Sequence, residues 1–467
     1  MLGAALLLAG DDSYSITNSA RFNGTSDYLS KTLTTSATTS GSIWVKRSKL
    51  GATSPIFDNK VYFTSGDALY AFGLTSTALY RDPSAWMHIF WNGTGVYVNG
   101  TLVTGTGSYT AASVTNPRLG YDGTNYFSGH LSDFAFWNGS SASLQGGAAD
   151  ANGVWVPRRP SAGYSFLAFG SSGALGTDTS GNGNSFTVNG SPVQTTDTPT
   201  NNYCTFNPLS SGSVTLSKGN TAADVSTYTQ LARGTIGVSV GKWYWEYKGD
   251  GSTTYLCCGV IDASRLQDTD PTAAPNGYSY YGHTGVVYNN GSSSAYGATY
   301  DNTHTIGCAL DLDASPPTLT FYKNNVSQGA KTINSGVTYF PMFNEQGTYA
   351  GATFNFGATA FAYTPPSGFL ALCTANMTSA AVTTSGTFTG NASADGPFVW
   401  TNGNPATLTI NGNAVTFGTH ADKTAGGFKL RSSSASYNTS GSNTWTATAG
   451  KRFVYSATSI NNAQGNP

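Results

Sequence analysis

One stretch near the middle of the chain alternates apolar and polar side chains with a period of two residues. It reads GKWYWEYK at 241–248, and GCALDLD at 307–313 and LTFYKN at 319–324 continue the same alternation. Each segment is bounded by Gly, Asn or Pro, a combination typical of half-buried strands. The sequence ASPP at 314–317 predicts a turn that joins the last two segments into a hairpin. We therefore predict that these segments are strands of one antiparallel sandwich.

The composition extends this prediction to the whole chain. Charged residues make up 10% of the sequence, against about 25% in an ordinary globular protein. Long amphipathic helices need charged and aliphatic residues at 3.6-residue spacing, and no window supplies them. The 27 tyrosines, 24 phenylalanines and nine tryptophans favour pleated sheets instead. We predict an all-β protein whose 467 residues suffice for about three domains.

Turn and strand signals divide the chain into four parts. Residues 1–13 are apolar up to Asp11 and are expected to anchor the chain against a partner subunit or the first sandwich, with an atypical secretion signal as the alternative. Residues 14–201 read as a first sandwich, in which Asn99-Gly100 predicts a tight hairpin turn. Residues 205–373 read as a second sandwich, after a linker at 197–202, and 380–467 as a small C-terminal β-module.

The five cysteines are an odd number and show no CxxC spacing. This pattern indicates neither a zinc site nor a disulfide framework, so we expect small buried apolar residues in a protein assembled in a reducing cytoplasm.

The second sandwich resembles the SPRY domain family. The resemblance is carried by the Trp-rich strand at 241–248, by LDLD at 310–313 and TFYKN at 320–324, and by the segments 339–343 and 354–357. SPRY domains bind partners through loops and have no catalytic apparatus, so the resemblance implies a recognition module without naming its ligand.

The first sandwich is similar to the concanavalin-like and laminin-G-like jelly rolls. The motifs WMHIFW at 86–91, VYVNG at 96–100 and GHLSDF at 129–134 carry this likeness. The superfamily includes lectins, adhesion modules and some glycosidases, which again implies a ligand-binding sandwich.

Taken in order, the modules resemble those of tailed-phage virion proteins of the tail-fibre or receptor-binding type. This resemblance implies a protein assembled in the host cytoplasm and located in the virion, with other virion proteins, copies of itself and a host-surface glycan or receptor as partners. Two functions remain open. One is host recognition on a tail fibre. The other is a purely structural role as a capsid decoration, head-fibre or collar protein.

Charge argues against two other classes of partner. The net charge is −1 and no run of Lys or Arg occurs, so neither nucleic-acid binding nor membrane insertion is expected.

The sequence also argues against catalysis. Glycoside hydrolysis requires a pair of carboxyl groups, yet the only glutamates are Glu246 and Glu345, and neither lies in an E-x-D-x-x-E strand. Glu246 is better explained by cross-strand pairing in the Trp-rich strand. The five histidines are scattered singly, and no metalloprotease motif occurs. We therefore expect a protein that is not an enzyme.

The best candidate ligand-binding residues are Tyr278, Tyr280 and Tyr281, together with Tyr288. Residues 276–283 combine tyrosines with flanking glycines, which suits an exposed loop that stacks on sugars and donates hydrogen bonds. The alternative is a strand whose tyrosines are partly buried.

A candidate calcium site lies at DTSGNGN, residues 178–184. Asp178, Asn182 and Asn184 could offer oxygens to Ca²⁺, which prefers oxygen ligands. The spacing is not that of an EF-hand, and a turn held by Asx and Gly residues is the alternative.

Overall fold

The computed structural model describes residues 14–33, 38–139, 143–150, 153–161, 163–211, 213–225, 231–250, 255–264, 271–345 and 351–377, and seven strands between 385 and 456. These residues form strands and two one-turn 3₁₀ helices, Pro208–Ser210 and Pro271–Ala273, which confirms the all-β prediction. The chain divides into two compact units, 7–376 and 1–6 with 377–467. The apolar segment 1–13 lies outside the described residues. In the described part, no helix has the length and apolarity to cross a membrane.

The first sandwich consists of two main sheets. Its strands are β1 (Ser19–Asn23), β2 (Tyr28–Ser30), β3 (Ser40–Arg47), β4 (Ser54–Phe57), β5 (Val61–Phe63), β6 (Ala68–Ala71), β7 (Leu74–Leu79), β8 (Met87–Trp91), β9 (Val96–Val98), β10 (Thr101–Leu102), β11 (Gly105–Gly107), β12 (Arg118–Leu119), β13 (Ser128–Trp137), β14 (Gly147–Ala149), β15 (Trp155–Pro157), β16 (Ser165–Leu167), β17 (Thr187–Asn189) and β18 (Val193–Thr195). One sheet has the order β10-β9-β8-β3-β13-β1-β18, with β16 also on β13, and the other β11-β7-β6-β5-β4-β12-β2-β17. β14 and β15 pair separately.

The two sheets share one apolar core. Side chains from both sheets, including Phe22, Ile43, Phe57, Trp91 and Leu131, are completely buried in it. Burial of aromatic and aliphatic surface on this scale is the main stabilising contribution to such a sandwich.

Two local features of this sandwich follow from the sequence. Asn99 and Gly100 both have positive φ angles, 46° and 76°, and join β9 to β10 in the predicted hairpin. The alternation of GHLSDFAFW is blurred because β13 contains a register shift between Ser132 and Ala135. Asp133 lies at this bulge with a φ of 47°, and Tyr14 donates a hydrogen bond to its carboxylate.

The second sandwich again has two sheets. Its strands are β19 (Thr215–Ser217), β20 (Ala222–Asp224), β21 (Leu231–Arg233), β22 (Lys242–Asp250), β23 (Cys257–Ile261), β24 (Tyr278–Tyr281), β25 (Val286–Asn289), β26 (Ser292–Ala295), β27 (Thr305–Asp311), β28 (Thr318–Lys323), β29 (Val326–Thr332), β30 (Phe340–Asn344), β31 (Gly351–Asn355) and β32 (Leu370–Ala371). One sheet has the order β19-β20-β31-β22-β27-β28-β29, with β32 parallel to β22, and the other β21-β30-β23-β24-β25-β26. The predicted hairpin forms, with Asp311 opposite Thr318.

The Trp-rich strand β22 is buried on both faces, which its alternation alone did not indicate. Trp243, Trp245 and Tyr247 are buried on one face, while Tyr244 and Glu246 are buried on the other. The segment that follows β31 covers the second face and places Phe361 with its ring centroid 5.0 Å from that of Tyr244. β22 is therefore the central strand of the second sandwich.

The C-terminal unit contains β33 (Ser385–Thr389), β34 (Phe398–Thr401), β35 (Leu408–Ile410), β36 (Asn413–Ala414), β37 (Gly427–Lys429), β38 (Ser442–Ala447) and β39 (Phe453–Ser456). They form sheets of order β33-β38-β35-β36 and β37-β34-β39. Ile410 pairs with Asn413 where β35 meets β36.

The predicted linker between the sandwiches is a buried junction. Asp197 and Thr198 are each 1% exposed, and so is Lys46 of β3. The Lys46 ammonium donates hydrogen bonds to Asp197 Oδ2 at 2.8 Å, to Asn202 Oδ1 at 2.6 Å and to the Tyr203 carbonyl at 2.9 Å. All three of its N–H groups are used, which is the condition under which a buried charge is tolerated.

Contacts beyond the linker complete this junction. Asn220, in the turn between β19 and β20, donates to the Ser48 carbonyl at 2.8 Å. Arg21 of β1 donates to Thr221 Oγ1 at 3.1 Å. A Cβ atom at Gly219 would lie 2.7 Å from the Arg21 side chain and 2.8 Å from His130, so only glycine allows this approach. The two sandwiches are thus packed directly against each other.

Replacing Lys46 tests the junction. Lys46→Ala leaves Asp197 buried without the lysine that pairs with it, so we expect the free energy of unfolding to fall by about 3–5 kcal/mol. We also expect proteases to cleave the variant at new positions within 195–203. Urea unfolding and limited proteolysis measure these effects. Lys218→Ala is the control, because Lys218 is half exposed in its pair with Asp250 and its loss is expected to cost less than about 1 kcal/mol. Equal effects of the two substitutions would contradict this account.

His130 makes the junction sensitive to acid. The ring is 1% exposed, and burial, reinforced by Lys46 and Arg21 against the opposing effect of Asp197, lowers its pKa to about 3. The unfolded chain binds a proton near pH 6.5 while the folded chain does not, so stability is lost as the pH falls between these values. Burial also lowers the pKa of His88 to about 3. At the β13 bulge, burial raises the pKa of Asp133 to about 7. The folded chain therefore binds a proton at Asp133 more readily than the unfolded chain does, so this residue favours the folded state as the pH falls.

We expect His130→Gln to be less stable than the parent protein at pH 7.5, by a margin that shrinks by about 2 kcal/mol at pH 5. The margin shrinks because only the parent protein loses the stability contributed by this histidine. Urea unfolding across this pH range measures the difference. His283→Gln, at an exposed position, provides the control, and parallel stability profiles for the parent and His130→Gln would refute the assignment.

Candidate functional site

The tyrosines predicted to form an exposed loop lie in strand β24, between β23 and β25. Tyr278 is 4% and Tyr280 0% exposed. The Tyr280 ring centroid lies 4.9 Å from that of Tyr300 and 5.2 Å from those of Tyr296 and Phe321, inside the sandwich. The loop prediction was therefore wrong: Tyr278 and Tyr280 are core residues, because alternation places both on the inward face of β24.

Tyr281 points to the opposite face, where it meets side chains from other segments. Its ring centroid lies 5.8 Å from that of Tyr288 on β25 and 6.0 Å from that of His283. The His283 ring in turn lies 4.9 Å from Tyr255, which is 36% exposed. We call Tyr255, Tyr281, His283 and Tyr288 the second-sandwich aromatic group. Of the four predicted tyrosines, only Tyr281 and Tyr288 belong to it.

Of the other two members of this group, His283 lies within the segment 276–283 that the sequence analysis singled out, whereas no sequence signal pointed to Tyr255. Tyr255 precedes β23 and is brought to β24 by pairing of the two strands, which no local pattern reveals. Burial, followed by its neighbours Cys257 and Tyr288, raises the pKa of Tyr281 to about 12. The hydroxyl is therefore neutral at physiological pH and unsuited to acid–base catalysis, and the Tyr281 side chain is only 8% exposed.

A cleft of about 580 Å³ opens elsewhere on the second sandwich. The turn between β27 and β28, including Pro316, and the loop at 333–337 form its walls together with Ser239. Leu312 and Ile333 are among its apolar lining residues, and none of the lining residues is titratable. A cleft of this size and polarity can hold a small uncharged group, and its lining offers no general acid or base.

The two glutamates are both buried. The Glu246 carboxylate accepts hydrogen bonds from the backbone N–H groups of Ala362 and Tyr363, at 2.7 and 2.9 Å, and from the Tyr244 hydroxyl at 3.0 Å. Its role is to hold the covering segment onto β22, which differs from the cross-strand pairing expected. Glu345 is 0% exposed at the end of β30. Neither carboxylate is presented to solvent, and the described residues contain no cluster of three His, Cys, Asp or Glu that could hold a metal ion.

All five cysteines lie in the described part of the chain, where each is buried and none is in a disulfide. Burial raises the pKa of the Cys204 thiol to about 11, so this residue is an inert part of the core.

The candidate calcium loop is organised around Asp178. Its Oδ1 accepts hydrogen bonds from the N–H groups of Phe166 and Ser180, both at 2.8 Å. Its Oδ2 accepts from the Ser180 hydroxyl at 2.9 Å and from the Asn184 N–H at 2.7 Å. Burial alone would raise the pKa of Asp178, but these four hydrogen bonds together lower it. The carboxylate is therefore already occupied by four donors.

The two asparagines of this loop point their amides at the main chain. Asn182 Nδ2 donates to the Gly163 carbonyl at 2.7 Å, and Asn184 Nδ2 donates to the Tyr164 carbonyl at 2.8 Å. These contacts hold the loop against the two residues that precede β16, so the geometry favours the Asx-turn alternative.

Comparison with known proteins identifies one of the domains. Residues 242–359 match the SPRY domain family. Similar solved structures include the TRIM65 PSpry domain, at 17% identity over 33% of this chain and 92% of that chain with a TM-score of 0.28. A human SPRY domain matches at 15% identity, over 32% of this chain and 98% of that chain, with a TM-score of 0.27. The SPRY domain of human HERC1 matches at 17% identity, over 32% of this chain and 96% of that chain, with a TM-score of 0.28.

Because these identities and TM-scores are low, the assignment rests on the family match and on the strand pairing of this chain. The SPRY resemblance is confirmed for residues 242–359, from the start of the Trp-rich strand to the segment after β31. The jelly-roll and phage resemblances stay predictions.

The Asx-turn interpretation of the 178–184 loop can be tested with calcium. Asp178→Ala removes the acceptor of four hydrogen bonds, so we expect the free energy of unfolding to fall by about 1–3 kcal/mol, equally in Ca²⁺ and in EDTA. Thermal unfolding in both media measures the effect. Asp82→Ala is the control, because the Asp82 carboxylate caps an exposed turn at Ser84. A melting temperature that rises with Ca²⁺ in the parent but not in Asp178→Ala would contradict the Asx-turn interpretation and support a calcium site.

Proposed function

We propose that this chain is a non-catalytic component of a tailed-phage virion that recognises a glycan or protein on the host surface. The order of its modules supports this proposal: a jelly-roll-like sandwich, a SPRY domain and a C-terminal β-module resemble receptor-binding virion proteins. The SPRY domain contributes a fold that presents loops to a partner.

The observation that carries the proposal is the buried junction at Lys46 and Asp197. A recognition protein on a particle benefits when its binding surfaces are held in fixed positions, because less conformational entropy is lost on attachment. The cleft at Ser239 offers neutral polar and aliphatic contacts, and the second-sandwich aromatic group offers aromatic ones, which suits non-covalent recognition.

Competition with the particle tests the function. We expect an excess of the purified full-length protein to bind host cells saturably and to reduce adsorption of the phage. Tyr281→Ala with Tyr288→Ala is expected to weaken cell binding if the second-sandwich aromatic group contributes. Tyr322→Ala, at a tyrosine of β28 that is half-buried like Tyr288, is the matched control.

The same experiment discriminates the structural alternative. Immunogold labelling locates the protein on the particle, and tailless capsids are assayed for its presence. Protein that co-sediments with tailless capsids, and neither binds cells nor competes with adsorption, would overturn host recognition and leave a decoration, head-fibre or collar protein.

A further inference from the structure

We propose that the outer face of the second sheet of the first sandwich is a binding platform for an extended, neutral oligosaccharide. Five tyrosines form this tyrosine platform: Tyr28, Tyr62, Tyr70, Tyr121 and Tyr126. Each is half-buried, with part of its ring at the surface. The inference rests on the proposed function only for its biological setting, since glycan binding by this face is a property of the purified protein.

Three of the rings form one group. Tyr121 and Tyr126 pair across a tight loop, and their rings stack with centroids 4.4 Å apart and planes 20° apart. Tyr28 of β2 lies 4.9 Å from Tyr121 and 6.2 Å from Tyr126. The loop is rigid because the Asp122 carboxylate accepts hydrogen bonds from the N–H groups of Thr124 and Asn125, at 2.8 and 2.7 Å.

The other two rings form a second group on the same sheet. Tyr62 of β5 lies directly opposite Tyr70 of β6, and their rings stack at 4.5 Å with planes 24° apart. β4 and β12 separate β5 from β2 in the sheet order, so the strands that carry Tyr62 and Tyr28 are roughly 14 Å apart at the usual strand spacing. Burial, followed by Tyr70 and Asp122, raises the pKa of Tyr62. A ligand that touches both groups must be longer than one sugar ring.

Arg118 completes the platform. Its guanidinium lies 5.0 Å from the Tyr121 ring centroid and is paired with Asp58 at 2.7 Å. The ion pair fixes the arginine while leaving it 30% exposed, so it can donate further hydrogen bonds. Arg118, Asp58 and Asp122 together carry one positive and two negative charges, which disfavours a polyanionic ligand.

The chemistry of the platform favours a sugar chain over a protein or a nucleic acid. Each tyrosine combines an apolar ring, which packs against the C–H face of a pyranose, with a hydroxyl that hydrogen-bonds to sugar hydroxyls. Nucleic acid would require clustered cations. A protein partner usually buries anchors in deep desolvated pockets, whereas these rings lie across a sheet surface. Mutual stacking immobilises the rings before binding, so little side-chain entropy is lost.

The test uses the full-length protein and a panel of neutral hexose oligosaccharides of two to eight units, with uronic-acid oligosaccharides of equal length for comparison. We expect calorimetric binding of neutral chains that strengthens with length. Tyr121→Ala with Tyr126→Ala, and separately Tyr62→Ala with Tyr70→Ala, should each weaken binding at least about tenfold. Tyr97→Ala, at a half-buried tyrosine on β9 of the other sheet, is the matched control.

Circular dichroism and thermal unfolding establish that each variant is folded. Tyr→Phe variants at the same positions should retain stacking and lose only part of the affinity. The proposal is overturned if no neutral chain binds the parent, if only uronic-acid chains bind, or if Tyr97→Ala weakens binding as much as the platform variants. If the platform variants bind host cells as well as the parent does, the tyrosine platform is not the surface that recognises the host, and the proposed function is unaffected. Conversely, glycan binding by a protein absent from the particle would refute the virion role alone.

Discussion

The pairing of Lys46 with Asp197 is the interaction on which the arrangement of the two sandwiches depends. A buried lysine near the end of β3 would be costly inside a sandwich, and it is tolerated because the linker supplies a carboxylate, an amide oxygen and a carbonyl for its three N–H groups. The same carboxylate accepts a hydrogen bond from the Trp86 indole at 3.0 Å. One buried charge pair therefore connects the first sheet, the linker and the start of the second sandwich, and converts two sandwiches into one compact unit.

This junction has a consequence for the proposed recognition function. The tyrosine platform lies on the first sandwich, and the cleft at Ser239 lies on the second, so both belong to the unit at 7–376. Surfaces that are held in one rigid body can engage two parts of a repeating polymer or two neighbouring receptors. The second contact then forms at a high effective concentration and adds avidity without new interactions. A flexible linker would have lowered this benefit.

The aromatic residues serve two different purposes that burial separates. Tyr280 and the residues around it fill the second sandwich, where their rings contribute apolar contact area and the Tyr300 hydroxyl hydrogen-bonds to the Tyr280 carbonyl at 2.8 Å. Tyr121 and Tyr126 show the same residue type at a surface, held by a loop that leaves part of each ring exposed. Tyrosine content alone therefore does not locate a binding site. What distinguishes the two groups is which face of the sheet the strand register assigns to each ring.

The sequence by itself determined the all-β class, the Asn99-Gly100 hairpin, the hairpin between β27 and β28, and the SPRY identity of 242–359, because these depend on local alternation, turn residues and short motifs. The tertiary structure alone decided that Tyr278 and Tyr280 are buried, that the linker is a junction, and that Tyr28, Tyr62 and Tyr121 share a surface. Period-two alternation divides a strand into two faces without saying which face another layer covers. Strands far apart in sequence become neighbours only through sheet order, so groupings of this kind leave no local signal.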